Sequence, residues 1–230
     1  MNAVAPSRVR GLKCTRLPIR HLKIIFFILK KEVTVMKKIL FINACIREKH
    51  SRTYKIAKDY LAKLEKSCPI EIIERKLTKE RISYLTSNDF SQETGEIKEH
   101  SDYVLAKEFA AADGIIIAAP FWEFAFPAVL SCYLENVSVP NITFRYTPVG
   151  SEGLCKAKVM IYIYTSGDIF SEEDNIGNAL LLKLSKLYGI PNFDTISAKG
   201  LDIDETKVSE IIATTLQSLD EKVKAATKLL

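Results

Sequence analysis

The stretch Gly114-Ile115-Ile116-Ile117-Ala118-Ala119-Pro120-Phe121-Trp122-Glu123-Phe124-Ala125-Phe126-Pro127 decides the fold of this 230-residue chain. Its first six residues form a continuous apolar run, the pattern of a strand buried on both faces, as in a parallel sheet. Four aromatics held between two prolines follow. Pro127 then sits near the first turn of a helical pattern that runs to Val137, where its missing N–H costs little. Strand, rigid turn and helix in that order are half of a β–α–β unit.

The same alternation continues on both sides. Upstream, Ile39-Leu40-Phe41-Ile42 is a second buried run, and residues 54–66 place Ile56, Ala57, Tyr60, Leu61 and Leu64 on one helical face. Ile70-Glu71-Ile72-Ile73-Glu74 alternates in part and reads as an edge strand. Residues 77–94 read as a loop with one helical turn, and 96–112 as a helix with Val104, Leu105, Phe109 and Ala112 facing inward. Downstream, residues 138–156 read as a long loop and 158–164 as a strand. Residues 175–188 form a helix closed by Gly189 and Pro191, and 193–198 a fifth strand. A last helix begins near Glu205, its apolar stripe running through Val208, Ile211, Ile212, Thr215, Leu216, Leu219, Val223 and Ala226. Five strands alternating with helices predict one doubly wound α/β domain over residues 36–230, a five-stranded parallel sheet with helices on both faces.

The net charge of +5 is unevenly spread. Residues 1–35 hold eight Lys or Arg against Glu32 alone, whereas 36–230 hold 25 basic and 27 acidic side chains. The basic excess therefore belongs to an N-terminal extension, expected to be disordered or an overlong start. Its apolar run Ile24–Leu29 is six residues long, against the roughly 20 needed to cross a bilayer. No nucleic-acid or membrane partner is expected for the domain, which is near neutral. Five cysteines without C-x-x-C spacing and three scattered histidines make neither a disulfide framework nor a metal site, and point to a reducing cytoplasm.

Open parallel sheets bind ligands beyond the carboxyl ends of their strands, which draws attention to three loops. The first, Asn43 to Thr53, runs into a helix. Ser51 and Thr53 place hydroxyls at its start, and Arg47, Lys49 and Arg52 add positive charge, as a phosphate requires; Ser51 also reads as a plain helix cap. The loop has no glycine, so neither a Walker A loop nor a dinucleotide fingerprint is present. The second loop, Pro120 to Phe124, offers an apolar shelf edged with backbone N–H groups, suited to a flat heteroaromatic ring, while Phe126 reads as core or subunit interface. The third, Thr165-Ser166-Gly167-Asp168, combines two hydroxyls with a glycine that permits close backbone approach.

Together these loops resemble those of the FMN-dependent NADH:quinone oxidoreductases, or azoreductases, of flavodoxin-like fold. The likeness covers residues 36–230. Ser51-Arg52-Thr53 matches the family's Ser-x-Ser/Thr phosphate motif, and Cys45 stands where the family has a small polar residue. Pro120-Phe121-Trp122-Glu123-Phe124 followed by Phe126-Pro127-Ala128 is similar to its Pro-Met/Leu-Tyr/Trp-Asn-Phe segment and helix start. Thr165 to Asp168 falls at its Ser/Gly-rich turn beside the flavin. The phrase Ile142 to Thr147 resembles a loop that walls the active site, with Phe144 and Tyr146 joining Trp122 and Phe124 as substrate walls. The resemblance implies FMN as cofactor and NADH or NADPH as donor. It further implies quinones, azo compounds or nitroaromatics as acceptors, and a homodimer in which each site is completed by its neighbour. No side chain is expected to act as a catalytic nucleophile, because the flavin carries the chemistry. Where the family has Asn, this chain has Glu123, whose carboxylate accepts hydrogen bonds but does not donate them. The alternative from the binding class is a flavodoxin-type electron carrier, which is ordinarily far more acidic than this domain.

Overall fold

A computed structural model describes residues 36–89 and 103–230. The N-terminal extension, and the portion of the 96–112 helix before Tyr103, lie outside the described residues. In chain order the elements are β1 (Lys37–Asn43), α1 (Arg52–Ser67), β2 (Ile70–Lys76), α2 (Tyr103–Ala111), β3 (Gly114–Ala118) and α3 (Ala128–Val137). There follow β4 (Phe144–Thr147), β5 (Gly150–Gly153), β6 (Val159–Thr165), α4 (Ile176–Leu187), β7 (Asn192–Ala198) and α5 (Val208–Leu229).

The five parallel strands are ordered β2-β1-β3-β6-β7. β3 is the middle strand, and the order reverses between β1 and β3, which opens a crevice at their carboxyl ends. β3 serves two cores at once. Ile115 and Ile117 face the layer that contains Phe109, Leu130, Tyr133 and Leu181. Ile116 and Ala118 face the opposite layer, with Ile56, Tyr60, Leu219 and Val223. The continuous apolar run is thus the requirement of a strand with helices on both sides. β2 lies at the sheet edge, as its partial alternation suggests.

Two expectations change. Val104 is 60% exposed, whereas Ala106 and Phe109 are buried. Those two lie three apart on one face of α2, so Val104, two residues before Ala106, points away from it. Residues 138–156 are not a plain loop. They contain the antiparallel hairpin β4–β5, in which Phe144 pairs with Gly153 and Thr147 with Gly150. The Thr147 hydroxyl donates to the Gly150 carbonyl at 2.7 Å and accepts from the Val149 amide at 3.4 Å, closing the two-residue turn. Phe144 is buried in the main core and stacks edge-to-face on Tyr146 at 5.4 Å.

Candidate functional site

Ser51 caps α1. Its Oγ accepts from the Tyr54 amide at 3.2 Å, and the Lys55 amide donates to the Ser51 carbonyl at 3.2 Å. Among the described residues the Arg52 and Thr53 amides donate to no backbone carbonyl, so the start of this 16-residue helix presents bare N–H groups at its positive pole. The Thr53 side chain is fully buried, and its hydroxyl shares a 2.7 Å hydrogen bond with that of Thr165. This bond pins the helix start to the end of β6. Cys45 sits beneath, 2% exposed, its Sγ donating to the Ala118 carbonyl at 3.5 Å. Burial pushes its thiol up to about 11, against a smaller opposing effect of the hydrogen bond with Ser51. The thiol therefore stays protonated at neutral pH and is not a nucleophile.

The aromatic segment after β3 makes a tight turn. The amides and carbonyls of Trp122 and Ala125 bond each other, at 3.3 and 2.8 Å. Between them Glu123 and Phe124 have φ of 51° and 63°. Positive φ at both central positions is the backbone of a type I′ turn, which glycine and asparagine favour. Here it is imposed on two ordinary L-residues, at about 1 kcal/mol or more each. The surroundings hold it. The Phe124 carbonyl accepts from the Gly177 amide at 3.2 Å, and a Cβ on Gly177 would lie 3.0 Å from Ala125 Cα. Phe126 beneath is buried and meets Tyr162 edge-to-face, so it is core. Replacing Glu123 by Asn is expected to raise stability by about 1 kcal/mol, roughly 3 °C in Tm for a domain of this size. An unchanged melting curve would show that the turn carries no such strain.

The third loop lies against the segment that follows β7. Ser166 N donates to Ala198 O at 3.0 Å, Leu201 N to Ser166 O at 3.1 Å, and Asp202 N to Gly167 O at 3.0 Å. A Cβ on Gly167 would lie 2.5 Å from an Asp202 carboxylate oxygen, so any side chain there would displace the Asp202 carboxylate. Across the gap, Arg52 Nη1 donates to Leu201 O at 3.2 Å and to Asp202 Oδ1 at 2.7 Å.

These segments enclose a cleft of ≈ 280 Å³ at the carboxyl end of the sheet. The first loop contributes Ile46, Arg47, His50, Ser51, Arg52 and Thr53, and the second Pro120, Phe121 and Trp122. Thr165, Ser166 and Gly167 form the third wall, Leu201 and Asp202 the fourth. Most of the residues singled out from sequence thus converge. Cys45, buried beneath, and Glu123, Phe124 and Asp168 do not line the cleft. Glu123 and Phe124 sit at the exposed tip of the turn, and Asp168 is exposed, its carboxylate accepting from the Ile169 amide at 2.7 Å. Neither Phe144 nor Tyr146 reaches the cleft within the chain. Phe144 is core, and Tyr146 is 76% exposed on the hairpin. His50, Leu201 and Asp202 were not anticipated; Leu201 and Asp202 follow the fifth strand, where the strand-end rule applies equally.

The backbone donors are also fewer than the loops suggest. The Phe121 amide is engaged by Thr165 O at 2.9 Å, and those of Trp122 and Ser166 are engaged as described. Among the described residues, the amides of Glu123, Phe124 and Gly167 donate to no protein group. Phe121 is braced by Phe170, the two rings stacked at 3.9 Å and 13°. Among the described residues no group of His, Cys, Asp and Glu is arranged to hold a metal ion.

An open parallel α/β sheet with a bare helix start and an aromatic turn at its switch point defines a protein that binds a phosphate-bearing, flat-ringed ligand. The profile of a family described as flavodoxin-like fold (Flavodoxin_2) matches residues 37–223. The chain is 36% identical over 198 residues to FMN-dependent NADH:quinone oxidoreductase 2 of Clostridium acetobutylicum, covering 82% of this chain and 99% of that protein. It is 34% identical over 200 residues to the FMN-dependent NADH:quinone oxidoreductase of Clostridium perfringens, covering 84% and 100%. The crystal structure of azoreductase AzrA superposes with a TM-score of 0.71 at 25% identity, covering 83% of this chain and 99% of that one. An azoreductase from Bacillus anthracis shares the fold, with a TM-score of 0.72 at 24% identity and coverage of 84% and 100%. The chain belongs to the flavodoxin-like family and, within it, to the FMN-dependent NADH:quinone oxidoreductases.

Proposed function

We propose that this protein is an FMN-dependent oxidoreductase that moves two electrons from NADH or NADPH to quinones, azo compounds or nitroaromatics in two alternating half-reactions. The observation that carries the reading is the cleft itself, where the bare start of α1 and the Pro120–Trp122 shelf face one space. The residues fit the group. The Arg52 and Thr53 amides, with Ser51, suit a phosphate, and Arg47 and His50 add donors at the rim. Pro120, Phe121, Trp122 and the Thr165–Gly167 turn suit a flat ring.

When bound, FMN would supply the hydride-transfer chemistry that links the nicotinamide to the second substrate. The chain binds, orients and screens. Thr53 and Thr165 hold the phosphate end and the ring end of the cleft at a fixed separation through their shared hydrogen bond. The free amide of Gly167, which lines the cleft, provides a donor for an electron-rich ring edge. Trp122, 40% exposed, and Phe124, 57% exposed, offer apolar faces to an aromatic substrate. The proton that completes reduction of the acceptor comes from solvent, which reaches the open cleft.

A homodimer accords with exposed apolar groups at Phe124, Ile176 and Tyr146, and would bring Tyr146 to a neighbour's cleft. Among the described residues no helix is long and apolar enough to cross a membrane. Cys45, Cys68, Cys132 and Cys155 are free thiols, consistent with a cytoplasmic location. The test is anaerobic rapid mixing of the purified protein. NADH is expected to bleach the visible flavin band, and a quinone to restore it. A protein that carries FMN yet is not bleached by NADH or NADPH would be an electron carrier instead.

A further inference from the structure

Arg52 is the cation nearest the start of α1, yet its side chain is turned to the far wall. Its Nη1 donates to Asp202 Oδ1 at 2.7 Å and to Leu201 O at 3.2 Å. Asp202 is the one carboxylate among the residues that line the cleft. Its backbone is anchored by its own amide, which donates to Gly167 O at 3.0 Å, and its carboxylate lies over Gly167. Bare N–H groups at a helix start and a nearby guanidinium each suit a phosphate. Here the second of the two is held by a carboxylate. The pair is not a stability device: the side chains are 41% and 70% exposed, and such ion pairs contribute little to folding.

We propose that Asp202 is a specificity-determining residue of this cleft. Paired with Arg52, it keeps the guanidinium off the phosphate position and leaves phosphate recognition to the neutral groups at the start of α1. The inference rests on the FMN reading and deepens it. The cleft walls then carry one net positive charge, from Arg47, rather than two. Affinity for a phosphorylated flavin is set low and nearly independent of salt, because fewer ionic contacts are made. Asp202 has no such effect on a flavin without a phosphate.

The test is fluorescence titration of the full chain, freed of flavin, with FMN and with riboflavin at low and high salt. The proteins compared are wild type, Asp202→Asn, Arg52→Ala and the double variant. Asparagine matches aspartate in size and leaves the backbone bond to Gly167 intact, so the fourth wall is retained, while its neutral amide no longer holds the guanidinium by charge. At low salt Asp202→Asn is expected to bind FMN about five-fold more tightly, the effect of one guanidinium freed to make an exposed, charge-assisted contact with the phosphate. Riboflavin affinity is expected to stay the same. The gain disappears at high salt and in the Arg52→Ala background. Unchanged FMN affinity in Asp202→Asn overturns the proposal. So does parallel weakening of FMN and riboflavin, which would make Asp202 a loop support. A gain that persists without Arg52 also overturns it, since Asp202 would then repel the phosphate directly. Wild type that binds neither flavin refutes the FMN reading itself; wild type that binds FMN alongside any of the three failures refutes this inference alone.

Discussion

Ser51→Gly is expected to weaken FMN binding by roughly 10- to 100-fold, the loss of one hydrogen bond to a charged group, while the flavin-free protein melts within a few degrees of wild type. Glycine is the informative replacement. Ser51 Oγ caps α1 through the Tyr54 amide, so alanine would remove a cap along with a ligand contact, at about 1 kcal/mol of stability. Glycine at that position costs only a few tenths. The phosphate contact is then tested with the helix still in place. Thr53 requires a different reading. Its hydroxyl is committed to Thr165 in a fully buried bond of 2.7 Å, so Thr53→Val leaves the Thr165 hydroxyl without its partner. That variant is expected to lose about 1–3 kcal/mol of stability and to bind FMN and riboflavin less well alike. Ser51→Gly, by contrast, should affect FMN and spare riboflavin. An FMN affinity that survives Ser51→Gly unchanged would place the phosphate elsewhere.

That contrast marks how far the sequence carries. Ser51 and Thr53 read as an equivalent pair of hydroxyls, and their two-residue spacing does identify the helix start. It does not reveal that one of them is buried against a threonine 112 residues away. The fold itself was legible, because β1, β3 and β6 are apolar runs buried on both faces, and a short run of that kind is what a strand between two helix layers requires. Helix ends were legible where chemistry marks them, as at Asn175, whose Oδ1 accepts from the Asn178 amide at 2.8 Å. The fourth wall of the cleft was not. Lys199-Gly200-Leu201-Asp202 has the composition of any surface turn, and its one signal is Gly200, which adopts φ of 76°. Its partners lie on α1 and the third loop, and pairing across that distance leaves no local pattern. The β4–β5 hairpin was missed for a related reason. Gly150-Ser151-Glu152-Gly153 has no apolar alternation, so only contacts from elsewhere can hold it as a strand.

Those contacts predict that Gly153→Ala is among the most damaging single-methyl additions in the domain. A Cβ on Gly153 would lie 2.0 Å from the Gly189 nitrogen and 2.1 Å from the Tyr188 carbonyl carbon. The obstacles are backbone atoms at the end of α4, which cannot rotate aside as a side chain would. Nor can the helix end retreat. Tyr188 is fully buried, its hydroxyl lies 2.6 Å from that of Ser138, and its carbonyl accepts from the Cys155 amide at 3.1 Å. Gly189 holds φ of 77° to end the helix there. The hairpin must therefore lift, at a cost near or above the upper end of ordinary overpacking, about 3 kcal/mol, or roughly 6–12 °C in Tm for a domain of this size. Gly150→Ala supplies the comparison. At Gly150 an added Cβ meets nothing within 4 Å, but φ is 129°, so the change brings backbone strain without collision and about 1 kcal/mol of loss. Thermal melts should rank wild type above Gly150→Ala, and Gly150→Ala above Gly153→Ala. Because Tyr146 rides on the displaced strand pair, Gly153→Ala should also alter turnover of bulky acceptors if the hairpin meets a neighbouring cleft. A Gly153→Ala protein that melts with wild type would mean the hairpin does not rest on the end of α4, and its placement of Phe144 in the core would fail with it.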